Sequence, residues 1–417
     1  MSNGFRNLSI HDWRQFHEVD LDFSKRLTIL TGANGAGKTT LLTLLTQHFG
    51  WEAQFLAEPK LGKTGGLRFF SGIRRRLTKL AEPASPGQEQ IGELIYADGA
   101  KALAVLPDEQ GGAVFQVNFQ PIQSVFGVYV PSNRPGSTYQ QVGQIPTAIS
   151  SPEQLIETYE GEFRSRWAGG HTGYSATYRL KESLIALAMF GYGNNVVREN
   201  AEYIEIFEGF EGVLRQVLPR SLKFEHIRIA IPEVILETGT GSFSLDAASG
   251  GITTLIDLAW RIFMRARNNP EVVVVVDEPE NHLHPELQRE LFPGLLNAFP
   301  QAQLIAATHN PFIVSSVPDS NVYVLRYNDE GKVFSELLDT VNKAGSSNEI
   351  LRDVLGLEFT LPLWVEHRLD EVVAKYASRP IDDESLRALR AEMIELGLGH
   401  LFPEAVSAVL EVPRDKA

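Results

Sequence analysis

Apolar and polar positions alternate loosely over residues 8–23, which predicts a hairpin or a pair of edge strands, and a strand over 26–30 then runs into a glycine-rich loop. The spacing turns helical over 39–49. Between about 91 and 130, short β-rich runs at 93–96, 114–119 and 125–130 are punctuated by Gly-Gly and Asp-Gly pairs and predict an antiparallel subdomain. An irregular stretch over 131–152, rich in Pro, Ser, Gly and Gln, leads to helical periodicity over 152–218 with glycine breaks near 169–173, expected to form a helical lobe. Strands are expected again over 224–236. A helix should begin near Ser249, and five consecutive valines, Val272 to Val276, suit a strand of a parallel sheet covered on both faces. Further strands are expected at 304–307 and 321–325. From 346 to 410 the pattern is helical, with a helix start at Asp382 or Asp383.

With 417 residues, 43% of them hydrophobic, the chain can bury a large core in two or three lobes. The opening residues hold no apolar run of the signal-peptide kind, and no apolar stretch is long enough to span a bilayer, so a cytoplasmic protein with no membrane partner is expected. The absence of cysteine excludes disulfides, zinc-thiolate sites, iron-sulfur clusters and thiol nucleophiles. A formal charge of -14 repels phosphate polyanions, which disfavours avid DNA binding by the free chain. One local exception is the run Arg68, Arg74, Arg75, Arg76 and Lys79, expected as a solvated helix face ahead of a nucleic-acid or partner patch.

The chemistry starts at Gly32-Ala33-Asn34-Gly35-Ala36-Gly37-Lys38-Thr39-Thr40, placed between the strand and the helix. Glycines let backbone N-H groups converge on a β-phosphate, Lys38 neutralises β/γ charge, and Thr39 offers a hydroxyl to Mg2+. ATP is the expected ligand. The valine strand delivers Asp277 and Glu278 to its carboxyl end, where Asp277 can hold the metal and Glu278 can position or deprotonate water. Ser249-Gly250-Gly251, just before a helix, again aims a hydroxyl and free N-H groups outward.

In that order these motifs resemble the ABC-type ATPases, although Ala248 and Ile252 stand where that signature usually has leucine and glutamine. Glu280 to Pro285 looks like the D-loop, and Ala306 to Pro311 looks like the switch-histidine region, which implies a γ-phosphate-sensing role for His309. His282 and His284, two apart, could mimic a metal pair but are set aside as one, since no matched ligands stand nearby. The family places a glutamine loop after the strand at 125–130; here Ser132-Asn133-Arg134 follows, and no glutamine is assigned. Trp13 to Phe16 looks like the opening strand of the RecF/SMC-like branch, and the run from Asp277 to Pro285 is similar to AAA-type ATPases of OLD, Septu-like and PARIS-like defence systems.

The resemblance implies an α/β P-loop fold of ABC-ATPase type with a mixed sheet: an ATPase domain over 1–340, carrying the insertions 91–130 and 152–218, and a C-terminal helical region over 346–417. It implies an ATP-hydrolysing switch that forms an ATP-dependent homodimer or larger oligomer with composite sites, and serves as sensor or scaffold for a separate effector such as a nuclease. A DNA-repair ATPase, a transporter ATPase subunit and a non-hydrolysing scaffold are the other readings. No sustained heptads separate the glycine loop from Ser249, as a chromosome-organising SMC protein requires, and no Asp-x-Asp follows His309, as an OLD nuclease requires.

Overall fold

A computed structural model describes residues 3–51, 54–61, 67–71, 89–106, 113–134, 139–145, 152–339, 345–355, 363–377, 380 and 382–411. The chain divides into two compact units, Met1–Ile350 and Leu351–Ala417.

An eleven-stranded mixed sheet organises the first unit. Its strands, numbered along the chain, are β1 (Phe5–His11), β2 (Phe16–Asp22), β3 (Leu27–Gly32), β4 (Glu89–Tyr96), β5 (Lys101–Leu106), β6 (Asn118–Gln120), β7 (Gly127–Val130), β8 (Val273–Asp277), β9 (Gln303–Ala307), β10 (Asn321–Tyr327) and β11 (Val333–Leu337). Their spatial order is β6-β5-β4-β1-β2-β11-β10-β3-β9-β8-β7. One half, β6 to β2, is antiparallel, and its alternating burial reflects a sheet with one face on the core. The other half is parallel across β10, β3, β9, β8 and β7. There β3, β8 and β9 are buried at every position, as strands covered on both faces must be.

Five segments depart from the pattern read along the chain. Residues 125–130, expected in the antiparallel group, contribute β7, which pairs in parallel with β8, Gly127 opposite Val273 and Val130 opposite Val276. The run 114–119 is broken, its first two residues pairing with Phe55–Leu56 in a separate ribbon while β6 joins β5. Trp13 to Gln15, expected as part of a strand, form the turn between β1 and β2, with Asp12 and Arg14 at φ 45° and 52°. Burial of the Trp13 ring, whose Nε1 donates to the Ser71 carbonyl at 3.0 Å, holds that turn. Arg68 lies on the short strand Leu67–Phe70 rather than on a helix, and Arg74, Arg75, Arg76 and Lys79 lie outside the described residues. The strand β11 was not anticipated, whereas β5 falls within the antiparallel group expected over 91–130.

Helix α1 (Lys38–Thr46) follows β3. Three helices, α2 (Pro152–Trp167), α3 (Ala176–Gly191) and α4 (Ala201–Val217), form the lobe over 152–218, and a hairpin of Phe224–Ala230 with Glu233–Thr238 follows. Then come α5 (Gly250–Asn268), α6 (Pro285–Ala298) and the single turn α7 (Pro311–Val314). The second unit is a helical cluster of α8 (Leu363–Ala377), α9 (Asp383–Glu395, capped by Asp382) and α10 (Phe402–Glu411). Its core is built on Leu369, Val372, Tyr376, Leu389, Met393 and Ala405. Ile394, one residue past Met393 and so about 100° around the helix, is 61% exposed. Among the described residues no helix is long and apolar enough to cross a membrane.

The core next to α1 contains a buried histidine. The His48 ring packs against Phe5, Tyr96 and Phe119. Its Nδ1 donates to the Leu45 carbonyl at 3.0 Å, so Nε2 is left to accept from the Tyr96 hydroxyl at 3.0 Å, which itself accepts from the Gln123 N-H. Burial pushes the His48 pKa down to about 4 from its ordinary 6.5. The folded pKa lies below the unfolded one, so between pH 6.5 and 4 the unfolded chain binds more protons, and stability is lost as pH falls through that window. The loss amounts to roughly 3 kcal/mol at full development. A His48→Gln variant should lose about 1–2 kcal/mol near neutrality yet show a flatter pH profile. Urea midpoints measured from pH 7 to pH 4 check this, and parallel slopes for the two proteins would exclude His48 as the titrating group.

Candidate nucleotide site

Close backbone approach shapes the glycine loop between β3 and α1. Gly32, at φ 128°, lies where a Cβ would stand 2.4 Å from the Leu325 carbonyl of β10. At Gly37, φ 96°, a Cβ would meet the Gln15 amide and the Phe16 ring at 2.5 Å. The β1–β2 turn therefore backs the loop, and only glycine fits between them. Ala36 is buried, whereas Asn34, Gly35 and Thr39 face outward and Thr40 is half-buried. No side chain caps α1, so its first-turn N-H groups remain available to a ligand.

Lys38 folds back over this loop. Its Nζ donates to the Gly32 and Ala33 carbonyls at 2.9 and 3.0 Å and lies 3.4 Å from His309 Nδ1. Burial pushes the ammonium pKa down to about 8, against the opposing charges of Asp277, Glu278 and Glu280. Parallel neighbours β3, β9 and β8 end at the same edge, which is why Lys38, His309 and the two acids meet.

At the end of β8, Asp277 is 2% exposed and accepts from the Thr39 hydroxyl at 2.8 Å. Burial, reinforced by Glu278, raises the Asp277 pKa; the Thr39 hydrogen bond and the cations Lys38 and Arg134 work against the rise. Glu278 has left-handed backbone geometry, φ 46°. Its N-H donates to the Ala307 carbonyl at 2.9 Å, and its Oε2 accepts from Asn281 Nδ2 at 3.0 Å. Next to His309, Glu280 Oε1 accepts from the Thr308 hydroxyl at 2.6 Å and from the His309 N-H at 3.3 Å. The Glu280 Oε2 is buried without a hydrogen-bond partner, and burial raises the carboxyl pKa. His309 is held toward its neutral form, first by burial and then by the Lys38 charge.

The Ser249 group stands apart from this constellation. Ser249 caps α5, its Oγ accepting from the Ile252 N-H at 3.5 Å, and both Ser249 and Gly250 are exposed. Gly251 is buried against the following turn, where a Cβ would come within 2.9 Å of the His282 carbonyl. His284 caps α6 by accepting from the Glu286 N-H at 3.4 Å. Among the described residues no three His, Asp or Glu side chains cluster as metal ligands.

Three contributors escaped the sequence reading. Glu280 lay in plain view, as an acid two positions beyond Glu278, but its grip on Thr308 and His309 depends on the β8–β9 pairing. Asn281 and Arg134 contact the Glu278 turn from either side. Arg134 carries no local signal, since its partner is 144 residues away.

Residues 195–315 match a family described as "AAA domain, putative AbiEii toxin, Type IV TA system", and residues 7–79 match one described as "AAA domain". A Septu protein PtuA of Bacillus thuringiensis is 27% identical, over 87% of this chain and 86% of that protein. Another, of Bacillus mycoides strain KBAB4, is 39% identical over 78% of this chain and 41% of its own length. The retron Vc95 probable ATPase of Vibrio cholerae serotype O1 biovar El Tor is 30% identical over 89% of this chain and 82% of that protein. Together with the mixed sheet and the glycine loop, these similarities establish that the chain belongs to the ABC-type P-loop ATPases of bacterial defence systems, the family of the Septu and retron ATPases.

Proposed function

We propose that this chain is an ATP-hydrolysing switch whose ATP-bound form is a head-to-tail dimer with composite sites, acting as sensor or scaffold for a separate effector, a nuclease-like protein. The observation that carries this reading is the convergence of Lys38, Thr39, Asp277, Glu278 and His309 at one sheet edge, while Ser249 and Gly250 face outward on a different element. Half of a phosphate-binding arrangement is thereby presented to a second molecule.

Nucleotide phosphates compete with the Gly32 and Ala33 carbonyls for the Lys38 ammonium, and restore to it the anionic partner that burial withholds. Thr39 and Asp277 supply hard oxygen donors 2.8 Å apart, and the raised pKa of Asp277 marks a carboxylate that a divalent cation would stabilise. The pair fits Mg2+, which when bound neutralises charge on the β/γ-phosphate oxygens. Glu278 orients the attacking water and takes its proton, with Asn281 fixing one carboxylate oxygen. His309, kept neutral beside Lys38, reads the γ-phosphate. The effector contact is assigned to the C-terminal helices over 346–417, where Trp364 on α8 is 66% exposed.

Lys38→Ala removes the loop's cation and should cost about 2–5 kcal/mol of ATP binding, read as lost affinity for a fluorescent ATP analogue. Affinity equal to that of the parent chain would contradict the site. Glu278→Gln should keep the grip on Mg-ATP but slow hydrolysis about 10²–10⁴-fold, trapping an ATP-bound dimer. Light scattering should report that dimer with ATP and lose it with ADP or on adding Ser249→Arg, whose bulk stands where the partner's phosphate must sit. An oligomer of constant size in all three conditions would point to a constitutive assembly instead.

A further inference from the structure

The parallel pairing of β7 with β8 brings the chain after Val130 out beside Asp277 and Glu278. Residues 131–134 are tied to the catalytic turn by two crosslinks. Arg134 Nη2 donates to the Glu278 carbonyl at 3.2 Å while its Nε donates to the Pro131 carbonyl at 3.3 Å. In return, Asn281 Nδ2 donates to the Ser132 carbonyl at 3.2 Å.

Glu278 needs such ties. A non-glycine residue at φ 46° sits in the left-handed region that its Cβ disfavours, so the surroundings must hold it there. Three contacts do so from three directions: the Ala307 carbonyl on its N-H, Asn281 on its carboxylate, and the Arg134 guanidinium on its carbonyl. The guanidinium shares that carbonyl with the Asn281 N-H, which also donates to it at 3.2 Å, and the direction of that peptide plane sets where the Glu278 side chain leaves the strand end. Arg134 also lines a cavity of about 400 Å³ together with Asp257, His282, Gly250 and Ser175. It therefore stands between the catalytic turn and the space below the N-terminus of α5. Burial lowers its pKa, against the opposing charges of Asp257, Glu280 and Asp277.

We propose that Arg134 is a positioning residue for hydrolysis: it holds the Glu278 carbonyl, and so keeps the left-handed turn that aims the Glu278 carboxylate at the attacking water. The proposal rests on the reading of Glu278 given above. It assigns to an arginine the link between the strand beside β8 and the catalytic turn, with no glutamine present at residues 131–134.

Steady-state turnover and Mg-ATP affinity of the full-length chain, compared with Arg134→Ala, Arg134→Lys and Glu278→Gln, test it. Arg134→Ala should keep the ATP affinity of the parent and lose about a hundredfold in kcat, the scale of a misplaced catalytic group. Arg134→Lys should recover part of that loss, because an ammonium supplies the charge and the donors but not the planar fork whose Nε and Nη2 meet two carbonyls from fixed positions. Methylguanidinium added to Arg134→Ala should restore turnover through the adjoining cavity, a response that a general packing defect would not give. Combined with Glu278→Gln, Arg134→Ala should add no further loss, since both act through one carboxylate. Parent-like kcat in Arg134→Ala, or a loss of kcat that falls equally on ATP affinity and is not rescued by methylguanidinium or by lysine, overturns the proposal. Parent-like turnover in Glu278→Gln would instead remove the reading of Glu278 itself, whatever Arg134→Ala does.

Discussion

A carboxylate at the end of a fully buried strand is the constraint around which the ATPase unit is arranged. Asp277 is cut off from water by the parallel sheet that delivers it, and an isolated buried charge costs far more than the fold can spare. The fold answers with the Thr39 hydroxyl and with the Lys38 and Arg134 charges, each brought from a different part of the chain. These groups only partly offset the desolvation, for the Asp277 pKa stays raised. Lys38 shows the mirror image, an ammonium pushed down by the same burial and pinned on backbone carbonyls. The site thus holds both signs of charge against the cost of burial, which is the electrostatic basis for proposing that it takes a phosphate with a divalent cation.

Holding the charges in place depends on steric closure behind them. Gly37 leaves room for Gln15 and Phe16, so the antiparallel β1–β2 hairpin presses directly on the glycine loop. Lys332 reinforces the same corner by donating to the Arg14 carbonyl. The antiparallel half of the sheet is therefore part of the support of the glycine loop. A side chain at Gly37 would meet the Phe16 ring and adopt a disfavoured positive φ, so it would displace either the hairpin or the loop.

Much of this was legible in the sequence where chemistry and periodicity are local. The glycine loop, the valine strand with its two acids, the helix after Ser249 and the three-helix lobe all carry their own patterns, and each forms at the expected place. What escaped was set by pairing over long distances. Nothing in residues 125–130 distinguishes an antiparallel neighbour of β5 from the parallel edge strand β7; the choice is made by β8, more than 140 residues later. The Trp13 turn reads as a strand because its residues are bulky and aromatic, yet burial of the indole against Ser71 closes a hairpin there. Arg134 was invisible for the same reason as β7, since its meaning comes from the turn that β8 brings beside it.

The outward-facing Ser249 is itself rigidly attached to the catalytic edge. On α5, the wholly buried Arg261 pairs with Glu160 of α2 at 2.7 and 3.1 Å and donates to the Tyr129 carbonyl of β7 at 2.6 Å. Just ahead of α5, Asp246 is ion-paired with Lys181 of α3, which is also fully buried. Separating one buried pair of this kind leaves an uncompensated charge and costs about 3–5 kcal/mol. Sliding α5 along the sheet would break the Arg261 contacts, and tilting its N-terminus would break the Lys181 pair. Neither motion is accessible at the energies by which nucleotide shifts a conformational equilibrium, a few kcal/mol at most. Ser249, β7 and the Glu278 turn consequently move as one body. A change in the distance between Ser249 and the Lys38 loop of the same molecule is opposed by these ties, so the composite site proposed above would have to close by the approach of a second molecule.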